Sequence, residues 1–271
     1  MSTRRHLSSV LDAAERSGKL DLRIEDIAAA LPGHSPAALR QALQRQQVRG
    51  RIVRVSRGSG HWLLVPLQYA SFGAPPLEAW LHHYLTGSLH IPYYVALLSA
   101  AESYGASPQA VMVVEVMVTK PRRRIMVGLI RIFFSTRARL EEMPTRWYET
   151  QDGRVKVSTP ELTALELVQR SSQHGGIASV RAVLDRLSDA CTEAGMSEAL
   201  DAAKDVPAAQ RLGVLLTMDN RTALAQCVLR WLSGKHLRMV WMEAPTTPEE
   251  RFYTDPDFKV RAPNYIGSSN A

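Results

Sequence analysis

The chain has 271 residues with a formal net charge of +7, 45% hydrophobic and 22% charged residues, which supplies a sizeable core, excludes bulk disorder and fits one large domain or two ordinary ones. Only two cysteines occur, Cys191 and Cys227, so a disulfide scaffold and a thiolate zinc cluster are excluded. Glu115 and Arg131 interrupt the best apolar runs short of the ~20 residues of a membrane span, and Asp12 interrupts the first amphipathic stretch where a signal peptide would be apolar throughout. The expectation is a soluble, reduced, cytoplasmic protein with no membrane partner.

The positive charge is concentrated. Residues 1–62 hold eleven Arg/Lys against five Asp/Glu, whereas the remainder holds 22 against 21. Such asymmetry points to a polyanionic partner for the basic segment.

Leu7, Val10, Leu11 and Ala14 share one helical face, and Gly18 ends that helix. Ile24, Ile27, Ala28 and Leu31 repeat the spacing, with Glu25 and Asp26 in the first turn, where the helix dipole favours acids. Pro32-Gly33-His34 breaks the second helix. Ser35-Pro36 then reads as an N-cap followed by proline at the first helical position. Leu39, Ala42 and Leu43 form the buried stripe of the third helix. Ile52–Val55 and Trp62–Val65 flank the glycine-rich Ser56–His61 and predict a hairpin. Three helices and a hairpin are the order of a winged helix-turn-helix.

The third helix carries the functional expectation. At ~100° per residue, the face opposite Leu39 and Leu43 presents Ala37, Gln41, Gln44 and Val48, flanked by Arg40 and Arg45, and no acid lies between Ser35 and Glu78. Arginine bonds guanine edges and glutamine bonds adenine edges in the major groove, which admits one helix. Arg40, Gln41, Gln44 and Arg45 are therefore candidate base readers, with the small Ala37 allowing close approach. Ser35, Arg49, Arg51, Arg54 and Arg57 are candidate phosphate contacts, and His61 on the wing is expected over phosphates or in the minor groove.

Beyond Ser71–Pro76, read as a linker, Leu77, Trp80, Leu81, Tyr84 and Leu85 predict a helix. Pro92 predicts the start of another, with Tyr94, Leu97, Leu98 and Ala101 on its face and Gly105 as its stop. Val111–Val118 and Ile125–Phe134 are apolar at nearly every position and predict strands covered on both faces. Arg154–Val157 predicts a short strand. Helical stripes then follow in Leu162, Leu165 and Val168, in Ile177, Val180, Leu184 and Leu187, in Leu212, Leu215 and Leu216, and in Leu224, Val228 and Leu232, before a late strand at Arg238–Met242 and a Pro-rich polar tail. The fold class expected is α+β: a winged helix-turn-helix over residues 1–70, then a larger α+β domain over 71–271 with a small sheet wrapped by helices.

Enzyme chemistry finds little support. His82, His83 and His90 do not converge on one ion, because adjacent helical residues point ~100° apart, and no metal or cofactor is expected. Glu115 and Lys120 lack the preceding Asp and the spacing of a nuclease strand, and there is no phosphate loop. Cys191 and Cys227 read as small core residues on amphipathic helices. Arg122-Arg123-Arg124 reads as a solvated turn or as a second anion-binding patch.

Several segments resemble one family. Pro92-Tyr93-Tyr94-Val95-Ala96-Leu97-Leu98-Ser99-Ala100-Ala101-Glu102-Ser103-Tyr104-Gly105 resembles the tyrosine-containing helix ending in glycine of AbiEi-type antitoxins of type IV toxin–antitoxin systems. Val157-Ser158-Thr159-Pro160-Glu161-Leu162-Thr163 is similar to that family's strand-to-helix segment, His174-Gly175-Gly176-Ile177 to the Gly-Gly that follows, and Phe258–Asn264 to its aromatic, basic, Asn-containing end. Ser99-Ala100-Ala101 departs mildly from the family's Ser-Ala-Leu. The resemblance implies a repressor of its own operon that binds promoter inverted repeats in double-stranded DNA, as a monomer or weak dimer assembling there. It further implies an antitoxin that counters a nucleotidyltransferase-like toxin without a stable complex. The alternatives are a winged-helix regulator or nucleic-acid-targeting protein unrelated to toxins, or an antitoxin that sequesters its toxin directly.

Overall fold

The structure is a computed structural model and describes residues 6–107, 113–244 and 251–264. Two compact units interleave along the chain: Met1–Tyr94, Met112–Ala138 and Trp147–Lys156 form the first, and Val95–Val111, Arg139–Arg146 and Val157–Ala271 the second. The single boundary read near residue 70 differs from this division, because the first unit also takes segments from the middle of the chain.

The first unit opens with α1 (Leu7–Arg16), β1 (Asp21–Arg23), α2 (Ile24–Ala30), α3 (Pro36–Val48), β2 (Ile52–Arg54) and β3 (His61–Leu64). This is the element order of a winged helix. β3 pairs antiparallel with both β1 and β2, giving the sheet order β1-β3-β2. Leu7, Leu11, Leu22, Ile27, Leu31, Leu39, Ala42, Leu43, Ile52, Trp62 and Leu64 bury one core, so residues 7–64 hold a hydrophobic centre of their own. Three helices each donate an apolar stripe to it, and the sheet closes it.

α3 starts as its sequence dictates. Ser35 has extended backbone, its hydroxyl accepts a hydrogen bond from the Ala38 N–H at 3.2 Å, and Pro36 occupies the first turn. Ser35→Ala should cost about 1 kcal/mol of stability, within the usual 0.5–2 kcal/mol for a lost N-cap, and urea denaturation checks it. Gly60 closes the wing at φ +64, where a Cβ would stand 2.9 Å from Ile24 Cγ2. Only glycine meets both the left-handed turn and the close approach of α2.

A second sheet contains β4 (Tyr93–Val95), β5 (Val113–Val118), β6 (Ile125–Val127), β7 (Ile130–Thr136), β8 (Thr145–Thr150) and β9 (Gly153–Ser158), in the order β6-β7-β5-β4-β9-β8. Most of it belongs to the first unit. Four expectations change at this point of the chain. The run from Ile125 to Phe134 is a hairpin rather than one strand, because Gly128 turns the chain at φ +57 with its Cα facing the Phe72 carbonyl, where a Cβ would lie 2.2 Å from that oxygen. The hairpin is not covered on both faces: Met126, Leu129 and Phe133 are exposed. Residues 93–95 form a strand, paired through Val95 with Val157, and the helix α4 (Leu97–Glu102) begins only at Leu97, where the chain turns at φ 56. The stripe at Leu77–Leu85 folds as a 3₁₀ turn (Leu77–Ala79) followed by a π-helical turn (His83–Ser88). The expected strand residues 111 and 112 lie outside the described residues.

The second unit is mostly helical: α5 (Pro160–Gln169), α6 (Gly176–Leu187), α7 (Glu193–Ala203), α8 (Val206–Met218) and α9 (Thr222–Leu232). α5 is buried from Pro160 to Val168 and packs against α4, α6, α7 and α8. Its N-terminus is bonded in detail. The Thr159 hydroxyl accepts from the Leu162 N–H at 3.4 Å, and the Thr163 hydroxyl donates to the Thr159 carbonyl at 2.8 Å. The buried Glu161 carboxylate accepts from the Thr192 N–H at 2.8 Å, which joins the start of α7 to the start of α5. The Tyr104 hydroxyl donates to the Ser158 carbonyl at 2.5 Å beneath the Arg146 guanidinium. The last described elements form a small sheet, β10 (Val240–Trp241), β11 (Phe252–Asp255) and β12 (Val260–Pro263), where the sequence reads mainly a polar tail. Cys191 lies at the end of a 3₁₀ turn rather than on a helix, and burial, then Glu161, pushes its thiol pKa up to about 12. That leaves almost no thiolate near neutrality.

Candidate nucleic-acid interface

The buried stripe of α3 fixes which way its other side chains point. Leu39, Ala42, Leu43 and Gln46 face the core. Ala37, Arg40, Gln41, Gln44, Arg45, Val48 and Arg49 are all exposed. Gln41, Gln44, Arg45, Val48 and Arg49 line one open depression of about 370 Å³. Val48 is 83% exposed, an apolar side chain held out among the polar ones.

Among the described residues no carboxylate pairs with the arginines of this face. The five acids of residues 1–62 are all engaged elsewhere among the described residues: Asp12 and Glu15 with Arg51, Asp21 with His61 and His83, Glu25 with Arg23, and Asp26 with Lys19. Arg40, Arg45 and Arg49 thus leave a net positive surface with unspent hydrogen-bond donors.

The remaining candidates separate. Ser35 is exposed at the helix start and already serves as its cap. Arg51 is committed to Asp12 at 2.7 Å and Glu15 at 3.3 Å. The sequence pattern could not foresee this, since both acids lie more than 35 residues away on α1, which folds back beside the start of β2. Arg54 lies over the Trp62 ring, 5.5 Å from its centroid. Arg57 is exposed on the wing.

His61 departs from expectation. It is buried at the start of β3, with its ring edge-on to Tyr84 at 5.0 Å, and it cannot reach a phosphate or a groove. All four residues of β3 are buried, His61 included, while Arg57 and Gly58 at the tip are exposed. His61 meets Asp21 from β1 and His83 from the π-helical turn, a grouping with no spacing signature because its members are 40 and 22 residues apart. His82 turns away, its ring against Tyr93 and Trp147, and its pKa is lowered by burial first and then by Arg154 and Lys156.

Arg122, Arg123 and Arg124 are exposed in the β5–β6 connection. With Ser56, Arg57, Tyr84, Pro121 and Ile125 they line an open cleft of about 640 Å³. The wing and this loop thus face one basic concavity, a juxtaposition across 65 residues of sequence. Arg122 also lies over the Phe134 ring, 5.9 Å from its centroid.

Comparison with known proteins adds the following. Residues 94–218 match the AbiEi antitoxin C-terminal domain. The resemblance drawn from Tyr94–Gly105, from Val157–Thr163 and from the Gly-Gly at 175–176 is borne out over that span, while Phe258–Asn264 lies beyond it. No curated protein matches the chain. Among solved structures it is similar to the RV2827C protein from Mycobacterium tuberculosis, with 16% identity, a TM-score of 0.67, and coverage of 96% of this chain and 93% of that one. At that identity the likeness speaks for the fold alone.

Proposed function

We propose that this chain, whose residues 94–218 carry the AbiEi antitoxin domain, is the antitoxin of a type IV toxin–antitoxin pair and represses its own operon. In this reading residues 1–70 are a winged helix-turn-helix that binds inverted repeats in promoter DNA, and residues 71–271 act against a nucleotidyltransferase-like toxin without a stable complex. Arg40, Gln41, Gln44 and Arg45 enter the major groove and read base edges, with Ala37 permitting the approach. Arg49, Arg54 and Arg57 hold phosphates, joined by Arg122, Arg123 and Arg124. Ser35 adds a phosphate contact at the helix start. Arg51, neutralised by Asp12 and Glu15, contributes little.

The observation that carries this reading is the exposed, acid-free face of α3. The test is a mobility-shift titration of the full chain against its own upstream DNA and against unrelated duplex. Equal affinity for both would refute sequence-specific repression. Co-purification of the neighbouring toxin with the chain would replace the non-contact mechanism with direct sequestration.

The basic cleft has its own expected result. Arg57→Ala combined with Arg122→Ala, Arg123→Ala and Arg124→Ala should weaken all duplexes alike. Each lost phosphate contact should flatten the slope of log K against log salt by about 0.9. A variant with reduced discrimination but an unchanged slope would place these arginines at base edges instead.

A further inference from the structure

The buried cluster of Asp21, His61 and His83 has no role in the reading above. Asp21 lies on β1, His61 opens β3 and His83 opens the π-helical turn, so three separated segments converge. One ligand-capable atom from each lies within 4.8 Å of the other two. The carboxylate sits between the imidazoles: Oδ1 faces His61 Nε2 and Oδ2 faces His83 Nδ1. Asp21 is 7% and His61 1% exposed, and neither Asp21 Oδ1 nor His61 Nε2 makes a hydrogen bond.

The donor set is one that a metal ion takes: two imidazole nitrogens and a carboxylate oxygen converge on one point. His61 Nδ1 lies 3.3 Å from the Ser88 hydroxyl. In the tautomer in which Nδ1 donates there, Nε2 turns a lone pair toward the carboxylate and an ion between them is held by both; in the other tautomer Nε2 donates to Asp21 directly. A single dication would be held by His61 Nε2, His83 Nδ1 and the Asp21 carboxylate together.

The surroundings are shaped for this role. Gly87 makes room for the His83 ring, since a Cβ there would lie 2.7 Å from His83 Cδ2. The π-helical turn, a rare geometry found often at functional sites, brings His83 and Ser88 to the same cluster. Ser88 holds the second ring nitrogen of His61, as outer partners of metal-bound histidines do.

We propose that Asp21, His61 and His83 bind one divalent transition-metal ion of the zinc class. Two imidazoles and a carboxylate are zinc ligands, and three protein donors leave a fourth position for water. His83 is half-exposed and marks the solvent side. The ion staples the returning strand of the wing and β1 to the 83–88 turn. Ser88 is a positioning residue.

The test strips the full chain with a chelator, equilibrates it with Zn²⁺ or Co²⁺, and measures metal content and visible absorption after desalting. The expected result is one zinc per chain, a Co²⁺ ligand-field band, and a higher melting temperature with zinc. His83→Ala, at an exposed position, should keep the circular dichroism spectrum and lose both metal and band. Ser88→Ala should weaken zinc binding by about 10- to 100-fold. A wild-type chain that retains no more zinc than a metal-free control overturns the proposal, as does a folded His83→Ala chain that retains as much as wild type. The wild-type measurement decides the matter even if a variant does not fold.

Discussion

Replacing Arg40 and Gln44 together with alanine should remove sequence-selective binding of upstream DNA while leaving the fold intact. Both side chains are exposed, and neither has a partner among the described residues. Their loss should therefore cost the free protein no more than ~0.5 kcal/mol, as for ordinary surface changes. A good base contact is worth about 1–3 kcal/mol. Two such contacts lower affinity for the cognate site by roughly thirtyfold to ten-thousandfold if their effects add, at 1.4 kcal/mol per tenfold. The residues are one helical turn apart, so some coupling is expected, and the single variants measure it. Unrelated duplex should bind nearly as before, because the phosphate contacts proposed for Arg49, Arg54 and Arg57 are untouched. The readout is the ratio of the two affinities at fixed salt. If the double variant still discriminates like wild type, α3 is not the reading helix.

The second large effect falls on stability. Gln210 on α8 is 1% exposed, and its side-chain amide donates to the carbonyls of Arg238 at 2.9 Å and Phe258 at 2.6 Å. One buried amide thereby binds the approach to β10 and the approach to β12 to the same helix. One turn later, Gly213 has no Cβ because the Phe258 ring fills that space, 2.0 Å from where the atom would be. Gln210→Leu keeps most of the volume but leaves the buried Phe258 carbonyl without a donor, which costs about 1–3 kcal/mol, and removes a second bond worth about 1 kcal/mol. A total loss of roughly 2–4 kcal/mol is expected, read as a lower denaturation midpoint with an unchanged m-value. An effect below ~0.5 kcal/mol would mean that the terminal sheet does not contribute to the stability of the helical unit.

Two of the segments that resemble the family have structural roles. Thr159 and Thr163 satisfy the start of α5, and Glu161 ties the start of α7 to it. The Gly195 Cα lies so close to Glu161 that a Cβ would meet its carboxylate at 2.4 Å. These residue types are demanded by helix capping and close packing. Phe258 plays a comparable part at the other end of the domain, filling the notch over Gly213.

Local physics was legible along the chain itself. The stripes of α1, α2 and α3, the Ser35-Pro36 start, the wing at Ser56–His61 and the Thr159-Pro160 start rest on periodicity and capping, which act over three or four residues. The exposed face of α3 follows from the same arithmetic, because a helix that buries Leu39 and Leu43 must turn Gln41 and Gln44 outward. Arrangements that depend on distant partners were not legible. Residues 93–95 carry a helical apolar pattern yet form a strand, since Val157 offers a neighbouring edge. The apolar run after Ile125 splits at Gly128, since the Phe72 carbonyl occupies the space of a side chain. Arg51 meets Asp12 and Glu15, and His61 meets Asp21 and His83, only after the helices and sheet have closed. Short-range order is written in neighbouring residues, whereas charge pairing and ligand convergence are set by where the folded backbone brings segments tens of residues apart.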